Sequence, residues 1–516
     1  MTNERNKVKT HFIDAFGRLS QVRESNLGIS YDTFYTYDAA DQLVQVQNSQ
    51  GHLTKMEYDR LGRKTAMCDP NMGTDPTGVG VCTAAPPTPG AWVYTYNKAG
   101  DMLTQTDAKN QKLCFTYDES GRPTSKSQGT SCTTLLASFT YDITTITATD
   151  FPKGRLTQVI DSPSNVTTRF AYDELGRNSK SQRVILGVTH EMAQTYDALD
   201  RIKQETFPDP DTVDYTYDGP WLKSVTGYIN DILYNGRGQK TSLTYANNVT
   251  TTFTYFDQPA DARKFFRVKR RTTTNSLQDL QYTYDDTGNL TSITDSIWTG
   301  TRTVLGYDDL NRLTDAQGTF GPLSNNLPTP TSCIYVYNSI GNLTDKCGIA
   351  FTYNDATGKH PSAVTFNPAT GKTYQYDDNG NMIARGNQTL TWDFENRVTS
   401  VSIGGSTTSM EYDYTGMRVK KWAPGAALTQ YPFKGYEIDP GGTITKFIKI
   451  GIETFASKKT PPSGQGLPNK HFYHNDHLGG VNVLSSEAGA KEQLTEYDPW
   501  GSVSRNEGVR QERHPP

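Results

Sequence analysis

Short runs in which aromatic and polar residues alternate recur along this chain. Aromatic–Thr–Tyr triplets stand at Tyr94–Thr95–Tyr96, Phe139–Thr140–Tyr141, Tyr215–Thr216–Tyr217, Phe253–Thr254–Tyr255 and Phe351–Thr352–Tyr353. A period of two puts both aromatics on one face and threonine on the other, the pattern of a half-buried strand. In many units a Tyr-Asp pair with Gly three residues later closes the run: Tyr58–Asp59 with Gly62, Tyr117–Asp118 with Gly121, Tyr172–Asp173 with Gly176, Tyr284–Asp285 with Gly288, and Tyr376–Asp377 with Gly380. Aspartate opens a type I turn by accepting a backbone N–H two residues on. The glycine slot fits a G1 bulge, which needs positive φ. Asn311, Asn396 and Asp200 fill the same slot in other units, and Asn and Asp tolerate that region. Arg or Asn, an apolar residue and often Thr follow, as in "GRLTQV" from Gly154 and "GNLTSI" from Gly288. Each unit therefore predicts a β-hairpin, and the chain as a whole predicts almost no helix.

The pair returns after 21 residues from Tyr37 to Tyr58, from Tyr96 to Tyr117 and from Tyr196 to Tyr217, after 24 from Tyr117 to Tyr141, and after 23 from Tyr284 to Tyr307 and from Tyr353 to Tyr376. A period in the low twenties with variable insertions marks a repeat architecture, and successive hairpins are expected to pair edge to edge. In "NLTSITD" Leu290 and Ile293 have opposite parity; either a bulge after the turn realigns them or both sheet faces carry apolar groups. The Pro/Gly-rich stretches 69–90, 320–332 and 457–469 read as surface loops. The repeat loosens after Gly404 and its period is gone from Tyr431, dividing the chain into a repeat region, 1–430, and a β segment, 431–516.

Composition agrees. Only 34% of residues are hydrophobic, yet there are 30 Tyr and 20 Phe, which separates the chain from polar disordered sequences. A net charge of -4 offers no global basic field for nucleic acid or anionic membrane. No stretch is apolar and long enough to span a bilayer as a helix, and the N-terminus lacks the apolar segment of a secretory signal. The six cysteines fall into three local pairs, Cys68/Cys82, Cys114/Cys132 and Cys333/Cys347, none in a C-x-x-C. Local disulfides in an oxidising compartment and six free thiols both fit this spacing.

Chemistry-bearing clusters are few. His471, His474 and His477 with Asp476 form the densest ligand-like group, but a strand aims His471 and His474 at opposite faces, so a polar turn with Gly479 and Gly480 is the better reading. In "RKFFRVKRR", residues 263–271, alternation puts Arg267, Lys269 and Arg271 on one solvated face, where they blunt an edge rather than bind nucleic acid. The recurrent aspartates are explained as turn formers. The "NLT" tripeptides at Asn289 and Asn342 match the glycosylation pattern but arise from the repeat itself. No nucleophile elbow, H-E-x-x-H or P-loop is present. No catalytic, metal or cofactor residue is assigned, and no enzymatic activity is expected.

Repeats of the form Y-D-x-x-G-[RN]-L-T resemble those of the Rhs/YD-repeat proteins, from about His11 to Ser504. That family includes bacterial polymorphic toxins, the C component of Tc toxin complexes and the teneurins. The resemblance implies an all-β fold: a long strip of antiparallel hairpins wound in a spiral into a hollow shell. It implies encapsulation of a toxin domain, with that toxin and neighbouring shell pieces as partners and a secreted or cell-surface location. The alternative is a teneurin-like adhesion or carbohydrate-binding module using surface glycans or proteins. Residues from Phe472 resemble the lead-in to the Rhs-associated core, which in many members releases the toxin by Asp-dependent autoproteolysis. The sequence stops just past Asp498–Pro499–Trp500–Gly501, so a shell segment without that core is expected, and no catalytic residue is carried over. Open strip ends would expose unpaired strand edges, predicting self-association.

Overall fold

Because each returning strand lies beside the strand it came from, the chain folds as a meander. The computed structural model describes residues 8–508 apart from 74–81, 84–86, 89, 147–149, 259–263, 265, 299, 319–331, 354–358 and 426. Among the described residues the strands form a 29-stranded and a 16-stranded antiparallel ladder. Strands adjacent in sequence pair throughout, as Leu53–Tyr58 does with Lys64–Cys68 and Lys112–Tyr117 with Pro123–Gln128. The ladder breaks between Ile349–Ala350 and Thr352–Tyr353. It does not break near residue 430, where the strand Ala427–Phe433 pairs on both sides. Helix is confined to short 3₁₀ turns such as Pro70–Met72 among the described residues.

The alternation read from the triplets is kept. Thr95, Thr116, Thr216 and Thr254 are exposed, while the aromatics beside them are buried or half-buried. The exposed hydroxyls meet across the strands, Thr95 Oγ1 lying 2.6 Å from Thr104 Oγ1. A bulge follows the corner: Tyr284 pairs with Leu290 and Thr283 with Ser292, so Thr291 is skipped. That extra residue returns Leu290 and Ile293 to one side, where both border the same cavity.

Two expectations change. The segment 457–469 is a loop only from Pro461, because Ser457 to Thr460 complete the strand Glu453–Thr460. In the basic stretch, Arg263 and Phe265 lie outside the described residues, and a bulge between Val268 and Arg270 breaks the alternation. Arg271 is consequently buried at 8% exposure rather than sharing a solvated face with Lys269.

The strip curls back on itself. Asn26 Nδ2 donates to Asp308 Oδ2 over a separation of 282 residues, and Ser49 Oγ donates to the Ser339 carbonyl over 290. Further along, Lys109 meets Asp377, Arg183 meets Asp413, and Arg271 meets Asn475 over 204 residues. A first circuit therefore lies beside a second along a seam, and over its first half the Tyr-Asp corners of the second circuit rest on the opposite edge of the first. Gly380 shows how close they come: a Cβ there would stand 2.6 Å from the Asn71 carbonyl oxygen.

The chain exposes more surface than a compact one. A compact 57.3 kDa chain is expected to expose about 18700 Å², whereas this one exposes 25882 Å². The buried apolar residues form separate clusters, the largest joining Phe207, Ile232, Leu243 and Phe253 of the first circuit to Ile448, Phe455 and Phe472 of the second.

Candidate functional site

The repeated corner is the unit from which the wall is made. At Asp118, Oδ1 accepts the backbone N–H groups of Ser120 (2.9 Å) and Arg122 (2.9 Å), and Oδ2 accepts Nε of Arg122 at 2.7 Å. The same set recurs at Asp59, Asp173, Asp197 and Asp393. At Asp285 and Asp377 the side-chain amides of Asn289 and Asn381 replace the arginine. Gly62, Gly121, Gly176, Gly288 and Gly380 have φ between 75° and 84°, and Asn311, Asn396 and Asp200 lie in the same left-handed region. The Arg63 side chain, with the backbone N–H groups of Arg63 and Leu61, holds the Asp59 carboxyl below the usual carboxylate range.

Two parts of this unit escape a reading based on turn chemistry alone. The tyrosine hydroxyl donates to the carbonyl of the preceding hairpin: Tyr58 to Leu43 (3.0 Å), Tyr117 to Met102 (2.8 Å), Tyr172 to Leu156 (2.6 Å) and Tyr376 to Val364 (2.9 Å). Phenylalanine cannot make that link, which explains why the second aromatic is usually tyrosine. The arginine reaches forward instead, its guanidinium stacking on the next unit's ring: Arg63 on Tyr96 at 4.9 Å, Arg122 on Tyr141 at 4.4 Å and Arg177 on Tyr196 at 4.7 Å. Each corner is thus tied to the hairpins before and after it. The sequence signal was the excess of Tyr over Phe at one slot and of Arg at another.

Three disulfides, Cys68–Cys82, Cys114–Cys132 and Cys333–Cys347, clamp hairpins locally, and no cysteine is free. The amides of Asn289 and Asn342 are both engaged within the fold, the first by Asp285 and the second by the Pro361 carbonyl.

The histidine segment belongs to the second circuit. His471 Nδ1 lies 2.5 Å from Glu492 Oε2, whereas His474 Nε2 lies 2.8 Å from Ser485 Oγ and its ring meets Tyr245 edge-on at 4.8 Å. Burial drives the His474 pKa down to about 3, with the Arg271 charge adding to the effect. Asp476 then forms a corner of the repeat type, accepting N–H groups of Leu478 and Gly480 at 2.9 Å each. Asp439 and Asp498 make similar corners, so this chemistry continues past residue 431, and the 22 residues from Asp476 to Asp498 restore the repeat spacing. Among the described residues no group of three or more His, Cys, Asp or Glu is arranged to hold a metal.

Charges lace the seam. Lys446, fully buried, is bound by Asp209 (2.8 Å) and Asp211, and Asp211 also takes Lys458 at 2.7 Å. Arg183 pairs with the buried Asp413 at 2.6 Å, Lys126 with Glu395, and Arg302 with Glu496 at 2.5 Å.

Comparisons with known proteins follow this geometry. A family model described as the teneurin YD-shell matches residues 1–137. The tRNA nuclease WapA of Bacillus subtilis (strain 168) is 28% identical over 145 residues, and the tRNA3(Ser)-specific nuclease WapA of Bacillus spizizenii is 31% identical over 150. Each match covers 26% of this chain and 6% of the relative. The crystal structure of TcdB2-TccC3 matches 98% of this chain and 29% of its own, with a TM-score of 0.80 at 16% identity. The Tc holotoxin pore of Photorhabdus luminescens matches 98% of this chain and 30% of its own, with a TM-score of 0.71 at 17% identity. At such identities these two likenesses are of fold. Over nearly its whole length this strip of Tyr-Asp corners has the fold of a Tc-toxin shell, and its first 137 residues match the teneurin YD-shell model.

Proposed function

We propose that this chain is a structural wall that helps enclose a toxin polypeptide in a secreted Rhs/YD-repeat or Tc-like system. The observation that carries this reading is a strip closed on itself by contacts 204 to 290 residues apart while exposing far more surface than a compact chain of its mass. A curled wall of hairpins suits enclosure of a chain that must later leave. The chain spans 6% of the length of the WapA relatives it matches, so in this reading cargo and remaining shell are supplied by other segments or chains. Six cysteines paired in three local disulfides support folding in an oxidising compartment, consistent with export. The chain's own part is mechanical, and no catalytic residue is assigned to it.

The test is limited proteolysis of the full-length gene product beside its separately expressed toxin segment. Enclosure predicts at least tenfold slower cleavage of the toxin inside the full product. Equal cleavage rates would end this reading.

A further inference from the structure

A cavity of about 700 Å³ lies at the seam, within the range of small-molecule sites. Leu280, Leu290, Ile293 and Leu313 line it together with Pro499 and Val503. Three donors or acceptors gather along the same wall. Tyr282 is 1% exposed and its hydroxyl has no hydrogen-bond partner. Arg302 gives one end of its guanidinium to Glu496, and its Nε is left without an acceptor. His477 stacks obliquely on Tyr282 at 5.0 Å with its Nδ1 unpaired.

Buried polar atoms are ordinarily paired, so orphans that border a cavity describe the ligand it lacks. The hydroxyl and the Nε–H call for an acceptor. Asp476, Glu496 and Asp498 border the same space and disfavour an anion. The aliphatic wall calls for an apolar body. We propose that this cavity is a binding site for a neutral amide carrying an aromatic or branched aliphatic group. Its carbonyl oxygen accepts from Tyr282 Oη and Arg302 Nε, and its apolar group lies against Leu290, Ile293 and Leu313. Such a group is presented both by a free small amide and by an apolar residue within an extended polypeptide.

Calorimetric titration of the full chain tests this with three probes: N-acetyl-phenylalaninamide, a capped Gly-Gly-Phe-Gly-Gly peptide, and the anion N-acetyl-phenylalanine. The neutral amide should bind at least tenfold more tightly than the anion. Equal affinity of amide and peptide supports the small amide as source, and tighter peptide binding supports a polypeptide. Tyr282→Phe keeps the ring and should weaken binding about fivefold to tenfold through the lost hydroxyl. Ala316→Phe, which projects into the cavity, should abolish binding with an unchanged circular dichroism spectrum; Val503→Trp at the rim serves if that variant does not fold. Absence of binding by both neutral probes, preference for the anion, or binding that survives a folded cavity-filling variant overturns the proposal.

Discussion

Two stretches of the strip use the same hairpin and bury it differently. In the first circuit, Leu43–Gln47 and Leu53–Tyr58 are half-buried at every position. In the second, Asn469–Asn475 and Lys491–Tyr497 contain four or five consecutive buried residues. The early strands are held mainly by corners and by tyrosine hydroxyls reaching one hairpin back. The late strands are held on both faces, partly by the first circuit, through Phe472, Ile448 and Leu494. A corner is thus sufficient to build a strip, while a packed core requires a second layer of strip to lie against it.

Acid should separate the two regions most. His474 is neutral in the fold with its pKa depressed to about 3, whereas the unfolded chain takes up a proton near pH 6.5. Its contribution is complete above about pH 6.5 and is lost as the pH falls from there toward 3. The corner carboxylates Asp59 and Asp197 also have depressed values, but their contribution is complete above about 3.9 and is lost only below it. Hydrogen exchange at pH 5 should therefore show loosening around residues 469–497 while corners near residues 59–63 stay protected. Simultaneous loosening would contradict the division.

Side-chain truncation comes next. Phe472→Ala should cost about 3–5 kcal/mol, as for a fully packed phenylalanine, and the half-buried Phe115→Ala clearly less, read from denaturant unfolding. Lys446→Ala leaves Asp209 and Asp211 facing a buried gap and should cost about 3 kcal/mol. If it is instead neutral in thermal unfolding, the seam ion pairs do not hold the circuits together. The smallest effect is expected at the corner, where Tyr117→Phe removes a single hydrogen bond to Met102 and should cost about 1 kcal/mol.

The hairpins were legible because every atom a corner needs lies within five residues. Aspartate, the N–H groups two and four positions on, and the left-handed slot are neighbours in sequence, so the pattern survives even across the 37 residues from Asp439 to Asp476. The burial of Arg271 was not legible, since one skipped residue at a bulge turns it from solvent to the seam. Tyrosine's hydroxyl link was half legible: the preference for Tyr could be seen, but its acceptor sits on the previous hairpin.

Local order in the chain determined that there would be hairpins, where they turn and that they pair in succession, because these depend on short-range sterics and hydrogen bonds. Which hairpins meet across the seam, Asn26 with Asp308 or Arg271 with Asn475, was decided only in three dimensions. Small twists add up over dozens of strands before two circuits touch, and partners more than 200 residues apart leave no periodic trace in the sequence.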